Sequence, residues 1–130
     1  MAFSPTSTHI ASASWDCSVR VWAPLSAHPQ PQSVATLRHF FSVHGVHFSP
    51  HNNGAQLVCG LANGTLQVWV WAEEREVLQL KGHSNCCALI CRFSEDGQEV
   101  CACMCVLRSC SQIVFRKVMR GVSHEAFSVP

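Results

Sequence analysis

The fold of this chain is decided by the stretch ASASWDCSVRVW (residues 11–22) and by its second copy, GLANGTLQVW (residues 60–69). In both, a strand-like segment leads through a short turn into an alternating strand that ends on tryptophan. The turn of the second copy is Asn63-Gly64, and this dipeptide readily adopts the positive φ angles that a two-residue hairpin requires. Both stretches are therefore predicted to be β-hairpins.

The dipeptide Phe-Ser marks a longer period in the chain. It occurs at Phe3, Phe48 and Phe93, each 45 residues after the one before. A fixed period of this length is typical of repeat proteins in which each unit is one supersecondary structure. The segments between turns give about four short strands per unit, so the sequence predicts an all-β chain.

The predicted units occupy residues 1–37, 38–80 and 81–115, and an irregular tail is expected at 116–130. The proline-rich segment 23–32 is predicted to be a loop, because proline cannot donate to a sheet ladder. The third unit departs from the pattern at 108–111, where no Asn-Gly turn occurs, and at Phe115, where tryptophan is expected. Residues 126–128 repeat the tripeptide of residues 2–4, but at too short an interval to mark another unit.

These residues resemble the WD-repeat family, whose units of about 40 to 45 residues each form one four-stranded blade of a β-propeller. The segments that carry the resemblance are LKGH (80–83) ahead of FSEDG (93–97), ASASWD (11–16) ahead of VRVW (19–22), and GLANG (60–64) with LQVW (66–69). They cover roughly residues 1–107. The resemblance implies an incomplete β-propeller of two to three four-stranded antiparallel blades.

The resemblance also implies a hydrogen-bonded set within each blade. Its members are a histidine before the first strand, a serine or threonine, a turn aspartate and a third-strand tryptophan. The matching residues are Ser14, Asp16 and Trp22 in the first unit, His39, Asn63 and Trp69 in the second, and His83 in the third. Leu61 stands at the serine position of the second unit. We expect these residues to be structural, since a satisfied buried hydrogen bond contributes about 0.5–1.5 kcal/mol.

The function that the resemblance implies is a non-enzymatic scaffold that holds other proteins, with no catalytic residue and no cofactor. A propeller closes with about four to eight blades, so two to three leave strand edges and apolar faces uncovered. We therefore expect a fragment or isoform of a larger WD-repeat protein, in which an edge strand can pair with another chain. A truncated product without independent activity is one alternative.

Nine cysteines raise a second alternative, a metal-binding or redox-sensitive chain. Cys101, Cys103 and Cys105 alternate along one predicted strand, which places their side chains about 6.7 Å apart on one face. Thiolates that share a zinc ion at about 2.3 Å must approach within roughly 4 Å of each other. His44 and His47 project to opposite faces of a strand. We therefore predict no metal site and regard the cysteines as small buried side chains.

Charge and hydropathy restrict the partners. A net charge of +1 provides no strong field to attract a polyanion or a membrane surface. The basic cluster at 108–120 contains no recognised nucleic-acid-binding module, so it is predicted to be solvated rather than to bind nucleic acid. The longest apolar run, residues 100–107, is much shorter than the roughly 18 residues of a membrane-spanning helix. Unpaired cysteines in apolar strands fit a reducing compartment, the cytoplasm or the nucleus.

Overall fold

The computed structural model describes residues 1–24, 30, 32–81, 87–97, 99–106, 109–117 and 124–129, with the backbone alone from residue 104 onward. These residues form three four-stranded antiparallel sheets, in which strands adjacent in sequence are adjacent in space. The first sheet contains β1 (Ala2–Phe3), β2 (Ile10–Ala13), β3 (Ser18–Trp22) and β4 (Ser33–Arg38). The second contains β5 (Val43–Phe48), β6 (Gln56–Leu61), β7 (Thr65–Val70) and β8 (Arg75–Lys81). The third contains β9 (Cys87–Phe93), β10 (Glu99–Val106), β11 (Ser109–Lys117) and β12 (His124–Val129).

Helical structure in this part of the chain is limited to two single-turn 3₁₀ helices, Asn52–Gly54 and Trp71–Glu73. Neither is of a length that could cross a membrane, and no other described segment forms a membrane-spanning helix. The prediction of an all-β fold with four-stranded antiparallel units is confirmed, and the three sheets do not close into a ring.

The same cross-strand row occurs in all three sheets. It runs through Phe3, Ile10 and Trp22 in the first sheet, Phe48, Leu57 and Trp69 in the second, and Phe93, Val100 and Phe115 in the third. The row fixes which positions of the three sheets are equivalent. In the first two sheets the phenylalanine of the Phe-Ser pair and the tryptophan therefore lie at the two ends of the same cross-strand row.

The serine of each Phe-Ser pair closes the turn between the first two strands of its sheet. Its backbone N–H donates to the carbonyl oxygen at the start of the next strand, over 2.9 Å from Ser4, 2.8 Å from Ser49 and 2.9 Å from Ser94. The hydroxyls of Ser4 and Ser94 also accept a backbone N–H at 3.0 Å. Local side-chain bonds of this kind favour turns over continued strands.

The hydrophobic core lies between the sheets. The first interface buries residues of both facing sheets, among them Ala11, Val19, Val21, Leu37, Val46, Phe48 and Leu57. The second interface buries Val58, Leu66, Val68, Leu80, Ala88, Cys91, Phe93 and Val100. At this second interface Gly60 lies so close to the third sheet that an added Cβ would stand 2.6 Å from the Ala88 carbonyl oxygen. The innermost strands β1, β5 and β9 are successive neighbours along one side of the stack.

The C-terminal segment differs from its prediction. Irregular structure is expected at 116–130, whereas β11 continues to Lys117 and His124–Val129 forms β12, which pairs antiparallel with β11 from Gln112 to Lys117. A ladder is made by backbone groups, so β11 can pair with a segment whose side-chain pattern is weak. Strand β12 is the outermost strand of its sheet, equivalent to β4 and β8, and it does not begin a new unit.

Candidate functional site

The turns of the first two hairpins are held by the predicted residues Asp16 and Asn63. The Asp16 carboxylate accepts the backbone N–H of Ser18 at 3.0 Å and also the Ser18 hydroxyl. This hydroxyl hydrogen bond is the main reason that the pKa of Asp16 lies below its usual value. In the second hairpin the Asn63 side-chain oxygen accepts the Thr65 N–H at 3.1 Å. Both residues therefore fix turn geometry.

The tryptophan of the first sheet binds a different serine from the one that the resemblance implied. Trp22 Nε1 donates to the Ser12 hydroxyl at 3.0 Å, whereas the Ser14 hydroxyl accepts the backbone N–H of Asp16 at 3.2 Å. Ser12 lies within β2 two residues after Ile10, the partner of Trp22, but Ser14 lies beyond the end of that strand. The serine of the hydrogen-bonded set in the first sheet is therefore Ser12, and the implied choice of Ser14 is corrected.

The second sheet brings His39 and Trp69 together, as the resemblance implied. Their rings meet edge to face, with centroids 5.3 Å apart. His39 Nδ1 lies 2.5 Å from Gln67 Oε1, so the neutral imidazole carries its proton on Nδ1 and donates it to the amide oxygen. Burial lowers the pKa of His39, and the hydrogen bond to Gln67 opposes this shift only in part.

Two buried nitrogen atoms beside this contact, His39 Nε2 and Trp69 Nε1, have no hydrogen-bond partner among the described residues. In the first sheet Ile10 pairs with Trp22, and Ser12 lies two residues after Ile10. In the second sheet Leu57 pairs with Trp69, and Cys59 lies two residues after Leu57. Cys59 is therefore equivalent in register to Ser12. The assignment of Leu61 to the serine position is therefore wrong, and the position carries a fully buried thiol. His83, the remaining predicted member, lies outside the described residues.

Three exposed aromatic side chains lie on the loops at one end of the first two sheets. Trp15, on the turn between β2 and β3, is 78% exposed, and Phe40 and Phe41, between β4 and β5, are 94% and 46% exposed. The Ser42 hydroxyl donates to the Trp15 carbonyl oxygen at 3.3 Å, which joins the two loops. The Trp15 ring also meets His44 edge to face at 5.9 Å. We call Trp15, Phe40 and Phe41 the aromatic loop surface.

Sequence reasoning did not single out this surface. The adjacent pair Phe40-Phe41 between polar residues at a predicted unit boundary is the signal that could have found it. Large apolar side chains at such a boundary have no core position to occupy. The contribution of Trp15 could be found only once the two loops were placed side by side.

A cleft of about 460 Å³ runs along the innermost strands β1, β5 and β9, with His44, His47 and Arg92 among its lining residues. His47 Nδ1 accepts the Phe93 backbone N–H at 3.1 Å, so this histidine links the second and third sheets. Burial, and to a smaller degree Arg92, lowers the pKa of His47. His44 packs against Trp15 instead, and the two histidines therefore serve different contacts.

The six cysteines whose side chains the structure describes are free thiols. Burial raises the pKa of Cys59, and it raises that of Cys91 to about 12, so both stay protonated and unreactive at neutral pH. Within the described segments no three His, Cys, Asp or Glu side chains are grouped so that they could hold a metal ion.

Antiparallel four-stranded sheets that stack face to face, with their first strands innermost, define the blades of a propeller-type repeat protein. The family model of the WD domain, G-beta repeat, matches residues 1–23 and 31–70, which hold most of the first two sheets. Over these residues the chain is a member of the WD-repeat family. Comparison with curated proteins finds no match. WD repeats generally mediate protein–protein interaction, and proteins built from them are generally non-enzymatic scaffolds.

Proposed function

We propose that this chain is a protein-interaction scaffold that binds another protein through the aromatic loop surface. The observation that carries the proposal is the exposure of Trp15, Phe40 and Phe41 on neighbouring loops. Exposed apolar groups that lie together on a folded protein favour an interaction site, whereas scattered single ones need no explanation.

The physical reason is the energy that aromatic side chains supply when a partner covers them. Phe, Tyr and Trp each bury about 150–250 Å² in a contact, and tryptophan is among the residues most enriched at binding hot spots. The loops themselves are held by backbone bonds, such as that from Val43 N–H to the Ser14 carbonyl oxygen at 3.1 Å. Because these loops are already held in place, little free energy is spent on ordering them when a partner binds.

The test compares the proteins retained by the immobilised chain and by two variants. The first variant combines Trp15→Ser with Phe40→Ser, and the matched control is Val77→Ser, which changes an exposed apolar residue on the outer strand β8. A hot-spot residue contributes at least about 2 kcal/mol, so we expect retention of the true partners to fall by more than about tenfold in the first variant. The control should retain them as the unaltered chain does.

Two results would contradict the proposal. One is a set of retained proteins that does not depend on Trp15 and Phe40. The other is equal loss in the Val77→Ser control, which would assign binding to the β8 edge strand. Near-ultraviolet circular dichroism of each variant checks the fold, since exposed substitutions change stability by only about 0.5 kcal/mol.

For localisation, we propose the cytoplasm or the nucleus. Support comes from the free thiols of the described cysteines, which suit a reducing compartment. Fluorescence microscopy of the tagged chain tests this, and entry into the secretory pathway would contradict it.

A further inference from the structure

The cleft along the innermost strands β1, β5 and β9 combines apolar walls with hydrogen-bond donors. Apolar side chains that line it include Leu89 and Ile90 of β9, which are 37% and 56% exposed. Its volume of about 460 Å³ lies within the range of about 300–1,000 Å³ that is usual for small-molecule sites. Such sites are mainly apolar and contain a few polar groups that orient the ligand. The cleft therefore has the size and the walls of a small-molecule site.

One of its donors is His47, which lies half-buried in the lining of the cleft. His47 Nδ1 accepts the backbone N–H of Phe93 at 3.1 Å, so the neutral ring carries its proton on Nε2. Burial lowers the pKa of His47, which keeps the ring neutral at pH 7. None of the residues that the structure describes accepts the Nε2 proton. His47 can therefore donate this hydrogen bond to a ligand.

The second donor is the guanidinium of Arg92, an exposed side chain that also lines the cleft. Arg92 is near enough to His47 to contribute to the lowering of the histidine's pKa. The one ion pair between described side chains lies at the start of β8 and does not involve Arg92. The described lining residues include no Asp or Glu, and Glu99 on the adjacent strand β10 is not among them. A permanent positive charge without a negative partner in the cleft favours an anionic ligand.

We propose that this cleft binds a small monocarboxylate with an apolar body. The Arg92 guanidinium pairs with the carboxylate, His47 Nε2–H donates to it, and the apolar body lies against Leu89 and Ile90. Hydrogen bonds between a guanidinium and a carboxylate are shorter and stronger than those between neutral groups. Arg92 supplies one permanent positive charge, which balances a single carboxylate but not a phosphate dianion.

The probe for this site is octanoate, whose binding to the unaltered chain is measured by isothermal titration calorimetry. We expect a dissociation constant on the order of millimolar, as is usual for so small a ligand in an open cleft. Octanol has the same apolar body without the charge and should bind about fivefold more weakly, since an ion pair with an exposed side chain contributes little. Octylammonium, which carries the opposite charge, should bind more weakly still.

Two variants test the role of Arg92. Arg92→Gln should weaken octanoate binding by about fivefold and leave octanol binding unchanged, because only octanoate has a charge to lose. The matched control is Arg38→Gln, which changes an exposed arginine at the end of β4 that does not line the cleft. This control should bind both compounds as the unaltered chain does.

Nuclear magnetic resonance of the histidine rings shows where octanoate binds. The Nε2 proton of His47 should shift as octanoate is added, because it enters a hydrogen bond to a carboxylate. His39, which contacts Trp69 and does not line the cleft, should keep its signal.

The monocarboxylate site is independent of the proposed function, because neither Arg92 nor His47 belongs to the aromatic loop surface. Phe40→Ser should therefore bind octanoate as the unaltered chain does, and the two proposals fail in different experiments.

Four results would overturn the proposal: no saturable binding of octanoate, octanol binding as tight as octanoate binding, an Arg92→Gln variant with unchanged affinity, or octanoate-induced shifts at Trp15 and Phe40 in place of His47. If Arg92→Gln does not fold, as judged by circular dichroism, the comparison of octanoate with octanol on the unaltered chain still decides whether the charge is recognised.

Discussion

Replacing Cys59 by serine is expected to stabilise this protein, although a buried thiol is ordinarily a better core residue than a hydroxyl. By register Cys59 has the place beside Trp69 that Ser12 has beside Trp22, and Trp69 Nε1, a donor, and His39 Nε2, an acceptor, are both buried and without a partner among the described residues. A hydroxyl provides one donor and accepts as well, so it can serve both nitrogens. In the first sheet the equivalent Ser12 already accepts from Trp22 at 3.0 Å.

The magnitude follows from opposing contributions. Each buried hydrogen bond adds about 0.5–1.5 kcal/mol, so two bonds add about 1–3 kcal/mol. The cost of burying a hydroxyl, about 1–3 kcal/mol, applies in full only to a hydroxyl that is left without a partner. Because both of its bonds can form here, we expect Cys59→Ser to raise the free energy of unfolding by about 1 kcal/mol. Cys59→Ala, which forms neither bond and leaves a small cavity, should lower it by about 1 kcal/mol.

Urea unfolding followed by fluorescence measures these free energies. The slope of the free energy of unfolding against urea concentration should be the same in all variants. Trp69→Phe serves as the control, because it removes the donor from the contact. In that background the advantage of serine over alanine at position 59 should shrink by about 1 kcal/mol, the coupling between the two side chains. A serine variant less stable than the alanine variant, or a coupling of zero, would refute the reasoning.

Three further predictions concern backbone strain, protonation and packing. Cys17 has φ of 68°, so Cys17→Gly should stabilise the chain by about 0.5 kcal/mol in urea unfolding, and a loss would contradict the strain. Burial lowers the pKa of both His39 and His47, so the unfolded chain binds more protons; the melting temperature should be constant above pH 6.5 and fall as the pH decreases below it. His47→Gln should weaken that fall, and an unchanged pH profile would exclude this histidine as a cause. Gly60→Ala should destabilise the chain by about 1–3 kcal/mol in thermal unfolding, because its Cβ would meet the Ala88 carbonyl oxygen, and an unchanged melting temperature would contradict that close approach.

The local parts of the fold could be predicted because their determinants are close in sequence. Asn63-Gly64 lies in a hairpin turn as predicted, but only Gly64, with φ of 84°, has a positive φ, and the turn is closed by the Gly64 N–H and the Leu61 carbonyl oxygen at 3.0 Å. Ser94 closes its turn through a carbonyl five residues away. Alternating side chains between such turns are sufficient to predict the strands.

The hydrogen-bonded set could be predicted only in part, because it depends on cross-strand register. The resemblance places Ser14 and, in the second unit, Leu61 at the serine position, but the ladders place Ser12 and Cys59 nearest the tryptophans. A shift of two residues keeps a side chain on the same face, so alternation alone cannot distinguish these positions.

The sequence by itself determined a repeated β-hairpin unit, its period and the Phe-Ser dipeptides that recur with it, because these depend on neighbours within one turn or one strand pair. Only the tertiary structure decided that Trp15 and Phe40 lie on adjoining loops, that β12 completes the third sheet, and that Phe3 is exposed while Phe48 and Phe93 are buried. These outcomes depend on which sheet or strand lies next to each residue, and one polypeptide pattern repeated three times does not contain that information.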